Sequence, residues 1–167
     1  MTKAVFFDRD GVINYEIGNY VYAIDKFKIN NGVIEFIQLL QKEAFIIIII
    51  TNQGGIAKKL YTRKDVEKLH DHMLQCFKKN NIHIDEIYYC PHHRISERCI
   101  CRKPDSLMLE KAMARFNIDP TKSYCIGDKE TDYEAGLKAG LNAIKIEKNA
   151  NLMNIVKIKA IINSQEP

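Results

Sequence analysis

The sequence predicts an α/β fold, doubly wound, with a mainly parallel sheet, and three features carry that expectation. The apolar runs AVFF at 4–7 and FIIIII at 45–50 are continuous rather than alternating, as strands covered on both faces require. Between them lie residues with apolar positions at helical spacing. The two kinds of segment then alternate along the chain, which is the pattern of a sheet held between two helix layers.

Taken in order, AVFF is the first strand, and VIEFIQLLQK at 33–42 is the first helix. It follows Gly32 and places Val33, Ile34, Phe36, Ile37, Leu39 and Leu40 on a helical stripe, so that the opening unit reads strand, loop, helix, strand. Thr62 can cap a second helix, on which Val66, Leu69, Met73, Leu74 and Phe77 form one stripe. EIYYC at 86–90 reads as a third strand. Pro104 precedes a helix carrying Leu107, Leu109, Ala112, Met113 and Phe116. SYCIGD at 123–128 and NAIKI at 142–146 are expected as strands around a short helix that ends near Gly140. The last fifteen or so residues fit either a terminal helix or a fraying tail.

With 167 residues and 46% hydrophobic content, the chain suits a single domain spanning residues 1–167 that buries about two-thirds of its unfolded surface. No repeat, low-complexity tract or linker interrupts it. The opening MTKAVFFDRDGV has a short apolar run cut by charges and no small-residue cleavage site, so a cytoplasmic location is expected. The longest apolar run, AFIIIII at 44–50, falls far below the roughly 20 residues that cross a bilayer, and no membrane role is expected. Net charge is +4 with both signs interspersed, too weak a field to argue for nucleic acid.

Ligands of such sheets bind outside the carboxyl ends of the strands, so the residues after each apolar run belong together. After AVFF comes DRDG, where Asp8 and Asp10 can point the same way and Gly11 lets the chain turn. After FIIIII come Thr51, Asn52 and Gln53, then Gly54 and Gly55, which can bring backbone N–H groups to an anion. After SYCIG come Asp128 and, four residues on, Asp132. Three carboxylates at one sheet edge repel unless a hard cation sits among them, and an all-oxygen ligand set favours Mg²⁺, which in turn implies phosphate. Each motif alone has a plainer reading. D-x-D-G is often a turn, and G-D-x-x-x-D a loop before a capped helix. Their combination is what points to a site.

A second cluster lies in CPHHRISERCIC at 90–101. Cys90, His92, Cys99 and Cys101 make a C-x-H and C-x-C arrangement of the ligand types that tetrahedral Zn²⁺ takes. In a reducing compartment clustered thiols are more often metal ligands than disulfides, and the odd total of five cysteines agrees. Four protein ligands leave no open position, so the role expected of the zinc is structural. His93 is either solvated or an alternative ligand. Cys76 and Cys125 are expected as buried packing residues, and Lys129 as a solvated charge.

The order FFDRDGV, IITNQGG, CRKP, IGDKETD resembles the haloacid-dehalogenase-like (HAD) phosphatases. With YYCPHH and CICRKP the likeness runs from Lys3 to about Ile146, and it is greatest to the small phosphatases of D-glycero-D-manno-heptose 1,7-bisphosphate and of histidinol phosphate. The resemblance implies a Rossmann-like HAD fold without a cap domain, bearing a zinc-bound loop. It implies that Asp8 is the nucleophile and Asp10 the general acid and base. Mg²⁺ would be held by Asp8, the backbone carbonyl of Asp10 and Asp128, with Asp132 orienting. Thr51 and Lys103 would hold the phosphoryl group, Asn52 and Gln53 would assist, Arg102 would touch the rest of the substrate, and the resemblance gives Lys129, as the alternative to a solvated charge, a place near the phosphate.

The reaction it implies is removal of the 7-phosphate from a heptose 1,7-bisphosphate, on a route to surface polysaccharide, by a monomer whose partner is a small sugar bisphosphate. Tyr15 to Tyr22, Gly54 to Lys59 and the zinc loop are the segments left to choose that substrate. Histidinol-phosphate phosphatase is the alternative. A polynucleotide 3′-phosphatase would need a basic groove or an attached kinase domain. An inactive zinc-binding interaction module would have no use for Asp8, Asp10, Thr51, Lys103 and Asp128 together.

Overall fold

A computed structural model of the chain describes residues 1–95, 98–155 and 161. Its elements are β1 (Ala4–Phe7), α1 (Val33–Lys42), β2 (Ile46–Asn52), α2 (Arg63–Lys79), β3 (Glu86–Cys90), α3 (Leu107–Phe116), β4 (Tyr124–Gly127), α4 (Glu130–Lys138) and β5 (Asn142–Lys145). The strands form one sheet in the order β3-β2-β1-β4-β5, with every neighbouring pair parallel. The chain winds outward from β1 to β3, then returns to the other side of β1 for β4 and β5. The reversal falls between β1 and β4, and a crevice opens where their carboxyl ends diverge.

Strand alternation sorts the core into two layers. Val5, Phe7, Ile47 and Ile49 face α1 and α2, packing with Phe36, Ile37, Met73 and Phe77. Ala4, Phe6, Ile48 and Ile50 face the other way, against Leu109 and Ala112 of α3 and Ala135 of α4. Both faces of β1 and β2 are therefore dry, as their unbroken apolar runs foretell. The cap of α2 is also as expected. Thr62 Oγ1 accepts the Asp65 N–H at 3.2 Å while Asp65 Oδ2 accepts the Thr62 N–H at 2.7 Å.

Three expectations need correction or limits. Strand β2 starts at Ile46 rather than Phe45 and runs on through Thr51 and Asn52, because β3 continues to pair there, Thr51 with Tyr89 and Asn52 with Cys90. Cys76 is only half-buried, with its Sγ 3.6 Å from His72 Nε2, whereas Cys125 is buried as expected and its thiol pushed up to about 12 by burial. Of the closing segment, residues 156–160 and 162–167 lie outside the described residues. No described helix is long and apolar enough to cross a membrane. Among the described residues, neither the loop after β1 nor the loop after β3 adds a separate layer over the crevice.

Candidate active site

Asp8 leaves the end of β1 with its N–H donated to the Ile126 carbonyl of β4 at 2.9 Å, which pins it beside the neighbouring strand. Two residues on, Gly11 has φ +91°, and a Cβ there would stand 2.6 Å from Asp128 Oδ2. Only glycine satisfies both demands. Gly127 is needed for the same kind of reason, since its Cβ would lie 2.1 Å from that of Asp132. Asp8, Asp128 and Asp132 consequently bring carboxylate oxygens to within 4.8 Å of one another. Asp128 Oδ1 is buried without a hydrogen-bond partner. A buried orphan oxygen in a group of three acids is a donor set suited to a small hard cation. Burial, and then the Asp132 charge, raise Asp8 to about 7 against the pull of Lys103. Burial raises Asp128 as well.

Lys103 sits under these acids, only 2% exposed. Its ammonium donates to Asp8 Oδ1 at 2.8 Å and the Ile50 carbonyl at 2.9 Å, and pairs with Asp132 Oδ1 at 2.6 Å. Burial works against its charge, but Asp132 and Asp8 more than compensate and hold it protonated. Asn52 grips the same residue by its backbone. Its Nδ2 donates to the Lys103 carbonyl and its Oδ1 accepts the Lys103 N–H, each at 3.1 Å. This explains why β2 carries polar residues at its end: they join the strand to the loop that delivers the lysine.

Asp10 lines the same cavity as Asp8, and its carboxylate is held by partners of its own rather than by the three-acid group. Oδ1 accepts from Arg9 Nε at 3.2 Å, Arg9 Nη2 at 2.9 Å and Asn14 Nδ2 at 3.1 Å. Oδ2 accepts from Arg9 Nη2 at 3.0 Å and Gln53 Nε2 at 2.9 Å. Burial pulls Asp10 upward, yet the Arg9 charge and these hydrogen bonds outweigh it and leave the carboxyl below its ordinary range. Gln53, expected among the substrate-binding residues, does not line the cavity. It is 1% exposed and holds Asp10 and Thr51 Oγ1 from behind, its own Oε1 accepting the Tyr61 hydroxyl at 2.7 Å.

Cys90, His92, Cys99 and Cys101 converge as the sequence predicts, none of the cysteines in a disulfide. Cys90 Sγ lies 3.8 Å from Cys99 Sγ and 3.2 Å from Cys101 Sγ, and His92 Nδ1 lies 3.6 Å and 3.2 Å from Cys90 and Cys101. A tetrahedron of sulfur and nitrogen around a zinc-sized ion has edges of about 3.4–3.8 Å. The cage is close to that size and slightly contracted on the Cys101 side. It is joined to the crevice by Arg102, whose Nη1 donates to the His92 carbonyl at 3.0 Å.

The crevice is a cavity of about 360 Å³ lined by Asp8, Asp10, Thr51, Asn52 and Lys103, with Arg102 and Lys129 at its sides. Lys129 thus faces the acids, in line with the place near the phosphate that the family resemblance allows rather than with the solvated charge preferred for it; burial disfavours its charge, and Asp8, Asp128 and Asp132 more than restore it. Tyr20, from the Tyr15 to Tyr22 segment, and Arg94, from the zinc loop, also line the wall, so two of the three segments expected to choose the substrate reach the cavity, though the sequence did not single out either residue within them. A neighbouring cavity of about 590 Å³ carries Arg94, Arg98 and Arg102, and another of about 250 Å³ carries Asp10 and Glu16.

Comparison with known proteins agrees with this geometry. The chain is 44% identical over 143 residues to D-glycero-alpha-D-manno-heptose-1,7-bisphosphate 7-phosphatase of Campylobacter jejuni, covering 86% of this chain and 81% of that one. The chain belongs to the HAD-like hydrolases. A HAD-hydrolase-like family profile matches residues 100–152 of this HAD-like protein. It is 41% identical over 144 residues to D-glycero-beta-D-manno-heptose-1,7-bisphosphate 7-phosphatase of Haemophilus influenzae, covering 83% and 78% of the two chains. Among solved structures, D,D-heptose 1,7-bisphosphate phosphatase from B. bronchiseptica, complexed with magnesium and phosphate, superposes with a TM-score of 0.83 at 26% identity, over 93% of this chain and 87% of that one.

Proposed function

We propose that this HAD-like protein is a phosphatase that removes the 7-phosphate of D-glycero-D-manno-heptose 1,7-bisphosphate. The observation that carries the reading is the meeting of Asp8, Asp10, Thr51 and Lys103 in one cavity of a chain about 40% identical to enzymes named for that reaction. Asp8 attacks phosphorus, and the bond from phosphorus to the sugar oxygen breaks as an aspartyl-phosphate forms. An alkoxide leaves poorly without a proton, and Asp10 supplies it; halide would need none, so the second acid argues for a phosphate ester. Arg9 and its hydrogen bonds keep Asp10 ionised, but a phosphate dianion beside it raises its proton affinity. In the second half it takes a proton from water, which attacks phosphorus and frees Asp8. Thr51 and Lys103 hold the phosphoryl oxygens, so that positioning and charge do most of the work.

Asp8, Asp128 and the Asp10 carbonyl would hold Mg²⁺, which when bound neutralises the repulsion between the nucleophile and the phosphate. Because Asp8 ionises only near pH 7, metal binding must displace its proton at lower pH. Apparent Mg²⁺ affinity is therefore expected to level off above pH 7 and to fall below it, by up to about tenfold per pH unit, in a calorimetric titration from pH 6 to 8.

Cys90, His92, Cys99 and Cys101 would hold Zn²⁺, with no vacant position for water and so a structural part. That cross-link fixes the stem from which Arg102 and Lys103 reach the substrate. Cys99→Ser is expected to weaken substrate binding and turnover by roughly 10–100-fold while the far-ultraviolet circular dichroism of the sheet persists. Full activity in zinc-free protein would reduce the loop to ornament.

The histidinol-phosphate alternative is disfavoured by charge. Its substrate carries an ammonium group, whereas the heptose bisphosphate carries a second phosphate, which suits Arg94 and Arg102 on the wall, with Arg98 behind. Steady-state rates on both pure substrates test the choice, and a preference for histidinol phosphate would overturn it.

A further inference from the structure

We propose that His70 is a positioning residue for proton transfer: acting through Arg9, it holds the Asp10 carboxylate aimed at the oxygen that leaves phosphorus. This rests on the acid role given to Asp10 above.

Arg9 is 0% exposed, an unusual place for a guanidinium, and such a charge survives burial only if its donors are met. Two of its nitrogens grip Asp10, and Nη2 also donates to the Val21 carbonyl at 2.6 Å. Nη1 has His70 Nε2 at 3.1 Å. Arginine can only donate, so Nε2 must accept; the ring is neutral and its proton lies on Nδ1. Burial and then the Arg9 charge lower His70 to about 3, in keeping with that assignment. His70 itself is fixed. It is 6% exposed on the buried stripe of α2, with its ring edge-on to Tyr89 at 5.8 Å. The guanidinium plane is thus held at three corners, by the acid, by the loop carrying Tyr20 and by the helix. His70 is the corner that ties the acid to a rigid element.

Removing that corner leaves a buried donor unmet, and the fork must tilt to find another partner. Asp10 keeps Asn14 and Gln53 but loses its flat, two-point seat on Arg9. The loss should appear only where Asp10 delivers a proton. The value of kcat/KM reports steps through phosphorylation of Asp8, so it isolates the departure of the leaving group from the later attack by water.

The experiment compares kcat/KM for the heptose bisphosphate, whose alkoxide needs a proton, with that for p-nitrophenyl phosphate, whose phenolate does not. Wild type, His70→Leu, His70→Gln and Asp10→Asn are each measured with the holoenzyme. His70→Leu is expected to lose about 10- to 100-fold on the sugar, part of the range general acid catalysis spans, and under about threefold on the aryl ester. His70→Gln, whose Oε1 can take the place of Nε2, should recover most of the loss. Equal losses on both substrates, no loss, or a glutamine variant no better than leucine would each overturn the proposal. Should the leucine variant not fold, His70→Asn, whose shorter amide falls short of Arg9, takes its place against glutamine with the same outcomes. If Asp10→Asn itself fails to distinguish the two substrates, the acid role of Asp10 falls, and this inference with it. If it distinguishes them and His70→Leu does not, only the inference falls.

Discussion

Asp8→Asn is expected to lower kcat by roughly 10⁴-fold or more, because the amide keeps the shape of the carboxylate without the negative charge that makes its oxygen a nucleophile. The fold should survive. Asp8 is buried beside Asp132 and so resists its own charge, raised to about 7, which means that a neutral amide relieves the metal-free protein rather than straining it. Lys103 keeps its partners at Asp132 Oδ1 and the Ile50 carbonyl. Thermal unfolding of the metal-free variant at pH 8 should therefore match or exceed that of the wild type, while steady-state assays show no turnover. An active wild type and a silent, folded variant would also exclude the reading of the chain as an inactive zinc-binding module.

Lys103→Met is expected to damage both chemistry and stability. The ammonium is 2% exposed between Asp8 and Asp132, at 2.8 and 2.6 Å, and methionine fills its volume without its charge. Loss of one such preorganised contact typically costs 10²–10³ in kcat, or roughly 3–4 kcal/mol. Breaking a buried pair by removing one partner costs on the order of 3–5 kcal/mol of folding stability. Asp8 has an escape, which is to take up a proton. Lys103 pulls Asp8 down against its burial, so with Lys103 gone the folded-state pKa of Asp8 rises further, the folded protein binds more protons than the unfolded one, and stability falls as pH rises. The deficit in urea unfolding should be smaller at pH 6 than at pH 8, and Mg²⁺ should recover part of it at pH 8.

Much of this arrangement was readable in the sequence where a local rule and the global fold agree. The unbroken run of β2 has only one home, a strand dry on both faces, and the α1 stripe ends where the sequence places it, at Lys42. Thr62 and Asp65 announce a helix start by chemistry alone. The acids were legible because DxDG and GDxxxD sit after strands, and parallel strands bring their ends together. What could not be read were contacts that reverse a residue's usual habit. Arginine is seldom buried, so nothing in DRDG marks Arg9 as the fully buried residue that it is. His70 gave a faint signal, since it stands four after Val66 and three before Met73 on an apolar stripe, but only the fold supplies Arg9 as its partner. Gln53 was misplaced because position after a strand does not tell which way a side chain turns. Successive residues point to opposite sides, and Gln53 turns back to Tyr61.

The central claim is that a phosphoryl group rests briefly on Asp8. Acid-quenched rapid mixing of the holoenzyme with heptose bisphosphate, followed by mass spectrometry of the digested protein, tests it directly. Within the first turnover, a phosphoryl adduct should appear on the peptide containing Asp8, and it should decay as inorganic phosphate forms. Product formed in the first turnover with Asp8 unmodified, or with the adduct on another residue, would contradict the account.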